Sequence, residues 1–275
     1  MTAFLHQLGL DPAFLKSAFE WSLLSLFLAC LVHSFWVHGP HRTVREFVAG
    51  FFLTAFCEST GVLSGAYIYP GFTFYIFATP VANPASWIAT VYIIIEVTNR
   101  IVYRDKALRT YEADGFRMRK ENFTLFGGSL VKTLLVLALL DAVFALAVDI
   151  ILDPLATIYN WWVWVPCSPG VTDIGPGVVE PYNFTRQVFM TTPQTWIGDF
   201  FARFFPNGNR YPTRVLGIPL INFIAWLVFV FVFTFQFRFV EFRETWGEWK
   251  KTAVLWALVL LDVPVMALAL IIPNL

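Results

Sequence analysis

Six stretches of the chain, 18–37, 46–65, 84–103, 125–152, 216–239 and 252–272, are apolar and about as long as a helix crossing a bilayer, roughly 20 residues. No other feature constrains the fold as strongly. Backbone in lipid must satisfy its own hydrogen bonds, so runs of this length are expected as helices. The expected class is all-α: a polytopic integral membrane protein with about six transmembrane helices, forming one transmembrane domain over residues 1–275. Composition agrees, with 57% hydrophobic residues and 14% charged, against roughly 25% charged in soluble domains. The 19 basic and 19 acidic side chains cancel, so the chain lacks the basic footprint of a nucleic-acid binder. A seventh apolar stretch, 67–82, is short and broken by Pro70, Gly71 and Pro80. It reads as a re-entrant or interfacial segment.

Charge gives the orientation. Twelve of the basic residues fall on one side of this arrangement: Arg42 and Arg45; Arg104, Lys106, Arg109, Arg117, Arg119 and Lys120; and Arg238, Arg243, Lys250 and Lys251. The positive-inside rule then places both termini outside. The first 17 residues carry Asp11 and a single Lys and do not read as a cleaved signal. No internal repeat or soluble domain is visible. Residues 166–215 read as an inserted extramembrane loop or interfacial cap. Their aromatic residues Trp196, Phe200, Phe201, Phe204 and Phe205 recur at helical spacing, which fits an interfacial helix or a packed loop. Asn122 and Asn183 begin Asn-x-Thr triplets. Cys30 and Cys57 sit in apolar runs and Cys167 in a polar loop, with no metal-ligand spacing.

Ionisable groups at membrane depth are costly and therefore candidates for function. Glu58, Glu96, Asp141, Asp149 and Asp262 lie within the spans, with Asp153 at the end of the fourth. Glu96 has Arg100 four residues on, the spacing of a pair on one helix face. Asp262 precedes Val263-Pro264 and is either the partner of a buried polar group or a site residue. Asp141 and Asp149 are about 80° apart around a helix, and Asp149 and Asp153 about 40°, so all three point into one sector. They read as a site, or as acceptors for Trp, Tyr or Asn on neighbouring helices. Glu58 lies in Cys57-Glu58-Ser59-Thr60-Gly61, followed by Gly65 at the four-residue spacing that permits close helix approach. Desolvated beside other acids, Glu58 is expected to keep its proton at neutral pH. A proton donor in an aromatic cavity suits electrophilic alkene chemistry, because ring faces stabilise a developing cation.

Three blocks resemble a known family, the carotenoid biosynthesis hydratases (bisanhydrobacterioruberin hydratase and gamma-carotene 1'-hydroxylase). They are Glu58-Ser-Thr-Gly-Val-Leu-Ser-Gly-Ala-Tyr67-Ile-Tyr69; Asp141, Asp149 and Asp153-Pro154 running to Trp162-Val-Trp164; and Gly217-Ile-Pro219-Leu-Ile-Asn222-Phe-Ile-Ala225-Trp226. With 80–87, they span about residues 46 to 240. Ala225 stands where the family pattern has a small Gly. About fifty residues, 166–215, separate two blocks that lie close together in the family.

The resemblance implies addition of water to the terminal double bond of an acyclic carotenoid end, leaving a tertiary alcohol, in the cytoplasmic membrane of a prokaryote. One carboxylic acid would protonate the alkene and a second carboxylate would take the proton of the attacking water. Glu58, Asp141, Asp149 and Asp153 are the candidate catalytic groups. Tyr67, Tyr69, Trp162, Trp164, Asn222 and Asp262 are the candidate substrate-binding groups. No cofactor and no metal are expected, and the partner is a lipid-soluble isoprenoid or carotenoid amid membrane lipid. A membrane terpenoid cyclase would use the same acids, with an internal group capturing the cation. A transporter or lipid-binding protein is the alternative of a different class, although paired broken helices of inverted halves are not seen.

Overall fold

Six α-helices carry the chain in the computed structural model, which describes residues 12–63, 67–69, 71–113, 129–159, 161–164, 213–216 and 218–269. They are α1 (Pro12–His38), α2 (Pro40–Leu63), α3 (Ala82–Ala113), α4 (Leu130–Ile158), α5 (Leu220–Glu241) and α6 (Glu248–Ala269). By length and apolarity five of them can cross a membrane: Phe14–His38, Pro40–Leu63, Ala82–Tyr103, Leu130–Thr157 and Leu220–Glu241. The chain is an all-α polytopic membrane protein. The expected sixth span, 252–272, falls largely on α6, which opens with Glu248, Lys250 and Lys251 and contains Pro264. Residues 270–272 lie outside the described residues.

Local chemistry sets the helix boundaries. Gly39 has φ +78°, a conformation natural only to glycine, and Pro40 follows at the first position of α2, where its missing N–H is no loss. α1 therefore ends and α2 begins within two residues. α2 starts earlier than the apolar run does, and this changes the charge map. Arg42, Arg45, Arg238 and Lys251, read from sequence as loop residues, are buried within helices.

Among the described residues, six strands of two residues each run between the helices: β1 (Tyr67–Ile68), β2 (Tyr75–Ile76), β3 (Thr79–Pro80), β4 (Val163–Trp164), β5 (Arg214–Val215) and β6 (Ile218–Pro219). β1 pairs antiparallel with β4, placing Tyr67 opposite Trp164. β2–β3 and β5–β6 are hairpins with two-residue turns. The segment 67–82 is thus a strap of short strands tied to the end of α4. Nearly all of the inserted segment 166–215, with its aromatic run and Asn183, lies outside the described residues, as does Asn122.

An internal repeat, invisible along the sequence, appears in three dimensions. The order helix, short strand, hairpin, helix occurs twice: α2, β1, β2–β3, α3 and then α4, β4, β5–β6, α5. Both hairpin turns contain a non-glycine residue at positive φ, Phe77 at 53° and Leu216 at 54°. Each hairpin ends in a proline, followed three residues on by Asn and seven on by Trp: Pro80, Asn83, Trp87 and Pro219, Asn222, Trp226. Asn83 and Asn222, Trp87 and Trp226, and Asn99 and Arg238 are all 139 residues apart. The expectation of no repeat is corrected. With the inserted segment inside the second copy, the residues the copies share are few, and the order of backbone elements brings the repeat out.

Polar groups lie at the two ends of the bundle with an apolar layer between. At one end, Arg45 pairs with Glu241 and, at 2.9 Å, with Glu248. His38 and Arg42 flank Glu96 at 2.9 and 3.6 Å, and Arg238 bonds Asp141 and Asn99. The layer above is built by Phe47, Leu53, Ile88, Val91, Ile95, Val230 and Phe233, all buried. Gly50 lets α2 approach α3 and α5 within it. A methyl there would stand 2.3 Å from Ile88 Cδ1 and 3.1 Å from Phe233. The helix faces turned outward are apolar, as at Leu28, Trp36, Ile151 and Leu261, the surface that lipid covers.

Candidate functional site

The opposite end of the bundle holds a small, partly open cavity of about 30 Å³, lined by Glu58, Tyr67, Tyr69, Asn83, Trp87, Asp149, Asp153, Trp162, Asn222 and Trp226. It forms where α2 and α4 finish and α3 and α5 begin. The strap places aromatic residues over it.

Glu58, one and a half turns from the end of α2, has two phenol partners. Tyr67 donates to its Oε2 at 2.7 Å, and Tyr69 donates to the same oxygen. Asn83 Nδ2 in turn donates to the Tyr69 hydroxyl at 2.7 Å. Glu58 Oε1 has no hydrogen-bond partner among the described residues, and it is not among the sealed, unpartnered atoms. That oxygen is open to the cavity.

Across the cavity, α4 presents Asp149 and Asp153 one turn apart. Trp162 Nε1 donates to Asp153 Oδ1 at 2.6 Å, and Asn222 donates to Asp153 Oδ2. Asn222 also donates to Asp149 Oδ2 at 3.2 Å. The walls are aromatic: Trp87 and Trp226 stack with ring centroids 3.3 Å apart and planes 16° from parallel. Tyr69 meets both Tyr67 and Trp162 edge to face. Among the described residues no Lys, Arg or His side chain lines the cavity. Three carboxyl groups thus converge here without a counter-cation among the described residues.

Glycine at position 61 makes this arrangement possible in a way its spacing did not suggest. Gly61 and Gly65 read as a helix-packing pair, but a Cβ on Gly61 would lie 2.3 Å from the Tyr67 hydroxyl and 2.5 Å from the ring. Gly61 is the slot that admits Tyr67 to Glu58; Gly65 lies outside the described residues. Gly61→Ala is expected to cost about 1–3 kcal/mol of stability, the usual cost of overpacking. Adding Tyr67→Ala to it should return most of that loss. Denaturation of the single and double variants in detergent measures the coupling.

Of the residues singled out from sequence, Glu58, Asp149, Asp153, Tyr67, Tyr69, Trp162 and Asn222 line one cavity. Trp164 is placed by its backbone in β4. Two expectations are corrected. Asp141 is not at the site, because eight residues along a helix is about 12 Å of rise, enough to change layers. It is fully buried and held by Arg238, whose Nε and Nη2 donate to its two oxygens at 2.8 and 3.0 Å. Asp262 is also away from the cavity, accepting from Gln236 Nε2 at 2.9 Å. Glu96 finds His38 and Arg42, while Arg100 is exposed on the same helix.

As lining residues, Asn83, Trp87 and Trp226 were missed. The recurring Pro-x-x-Asn-x-x-x-Trp pattern was the signal that would have found them. Among the described residues no group of three or more His, Cys, Asp or Glu side chains is arranged to hold a metal ion.

Fold and site together define a polytopic helical membrane protein with a carboxyl-lined, aromatic-walled cavity at one end of its bundle. No protein-family profile, curated protein or solved structure matches the chain.

Proposed function

We propose that the protein is an enzyme of isoprenoid metabolism, a hydro-lyase-type hydratase that adds water to the terminal C=C of an acyclic carotenoid end. The observation that carries this reading is the convergence of three carboxyl groups in an aromatic cavity with no cation among its described lining residues. A carboxylic acid donates its proton to the less substituted alkene carbon, leaving a tertiary carbocation and a carboxylate. The faces of Trp87, Trp226 and the tyrosine rings stabilise the cation. Water bonds to the cationic carbon and gives its proton to a second carboxylate, yielding a tertiary alcohol. The substrate, dissolved in lipid, enters from the side. The enzyme resides in the cytoplasmic membrane of a prokaryote with both termini outside, a reading supported by the basic residues Arg104, Lys106, Arg109, Arg117, Arg119 and Lys120 after the third apolar run and Arg243 and Lys250 after the fifth.

A proton-conducting transporter would need a polar route between the ends of the bundle. The apolar layer of Phe47, Leu53, Ile88, Val230 and Phe233 counts against one. Expression in a lycopene-producing host tests the proposal by mass analysis of the pigments. The expected product is heavier by one water for each modified end and takes up oxygen-18 from labelled water. A new product of unchanged mass would mean cyclisation; unaltered pigments would overturn the enzymatic reading.

A further inference from the structure

The two copies of the repeated unit meet at the cavity, and each contributes the same parts. In the first, an acid near the end of a helix (Glu58) receives a donor nine residues on (Tyr67), and an Asn at the start of the next helix (Asn83) completes the network. In the second, Asp153 receives a donor nine residues on (Trp162), and Asn222 completes it. Trp87 and Trp226, at equivalent positions, stack on each other. The antiparallel pairing of β1 with β4 joins equivalent strands. The cavity therefore sits between two matched half-sites.

The chemistry of the donors differs between the halves. Indole N–H and amide NH2 groups can only donate. In the second half one such group donates to each oxygen of Asp153, an arrangement that favours the ionised form, because the hydroxyl oxygen of a neutral acid is a poor acceptor. In the first half the donors are hydroxyls. Asn83 donates to the Tyr69 oxygen, which leaves the Tyr69 proton directed at Glu58 Oε2 alongside that of Tyr67. Oε2 is then filled by two donors, and the place left for a proton on Glu58 is Oε1, open to the cavity.

We infer that the duplicated unit has diverged into an acid half and a base half. Glu58 carries a proton on Oε1, Asp153 is held ionised, and Asn83 and Asn222 are the equivalent positioning residues. Asp149 has no acidic counterpart in the first half, where the equivalent helix position is Thr54. Bridged to Asp153 through Asn222, it adds an open oxygen, Oδ1, to the base half. The catalytic meaning of this division rests on the hydration reading above. Glu58 Oε1 gives its proton to the alkene, Asp149 Oδ1 takes the proton of the attacking water, and cavity water returns it to Glu58. The protonation pattern itself does not depend on that reading.

Infrared spectroscopy of the purified full chain in detergent tests the pattern without any substrate. At neutral pH the Glu58→Gln variant is expected to lose a protonated-carboxyl C=O band. Asp153→Asn should keep that band and lose ionised-carboxylate intensity. Asn83→Leu should shift the Glu58 band, and Tyr69→Phe, a smaller change, should shift it in the same direction. Loss of the protonated band in Asp153→Asn, or its persistence in Glu58→Gln, would overturn the assignment. If the bands behave as expected and no variant, nor the parent chain, alters pigments in the producing host, the hydration reading fails while the division into halves stands.

Discussion

Glu58→Gln is expected to reduce formation of the hydrated pigment by about a thousandfold, within the range of roughly 10²–10⁴ that general acid catalysis contributes. The amide keeps the size of the side chain and an oxygen that can accept from Tyr67 and Tyr69, so the cavity should retain its shape. What it cannot do is release a proton to an alkene. Turnover measured by chromatography of pigments from the producing host, normalised to the amount of protein in the membrane, gives the ratio. Denaturation in detergent, close to that of the parent chain, establishes that the loss is chemical. Tyr67→Phe should be milder, because Tyr69 still donates to Oε2. Undiminished turnover in Glu58→Gln would remove Glu58 from the mechanism.

The second large effect concerns stability at the other end of the bundle. Arg238→Met is expected to destabilise the protein by about 3–5 kcal/mol, as is usual when one member of a buried ion pair is removed. Asp141 and Arg238 are both fully buried, with two hydrogen bonds between them, and Arg238 also donates to Asn99 at 2.7 Å. Without the guanidinium the fully buried carboxylate loses the cation that bonds both its oxygens. Replacing both partners, Arg238→Met with Asp141→Leu, should recover most of the loss, because a packed apolar pair avoids the desolvation cost. Equilibrium unfolding of the single and double variants in detergent reads the difference. If the double variant were as unstable as the single, the pair would be holding the helices in register rather than neutralising charge.

These two residues illustrate what the sequence discloses and what it hides. Asp141 and Asp149 look alike along the chain: both lie on α4, in one sector, in apolar surroundings. Their roles part because Arg238, distant in sequence, comes alongside one of them and Asn222 alongside the other. Helical periodicity places a side chain around and along its own axis, but it carries no information about which neighbour the bundle supplies. The same limit explains Glu96. Its partner four residues away was the local candidate, and the chain reversal at Gly39-Pro40 brought His38 and Arg42 to it instead.

The cavity acids and their aromatic neighbours were legible because acids are costly in lipid, so their presence within spans marks them. The lining residues Asn83, Trp87 and Trp226 carry no such mark. Asn and Trp at helix starts are ordinary in a membrane protein, and only their recurrence after a hairpin-ending proline sets them apart.

By itself, the amino-acid sequence determined the class of the molecule: runs of apolar residues long enough to cross lipid leave the backbone no alternative to helices. It also determined which carboxyl groups are out of place in such helices. Tertiary structure decided which of these groups meet. Two copies of a helix–strand–hairpin–helix unit pack so that Glu58, Asp149 and Asp153 face one cavity, while Asp141 is neutralised a layer away by Arg238. The physical reason is that a buried charge is settled by what lies within a few ångströms of it, and that distance is set by packing between helices far apart in the chain.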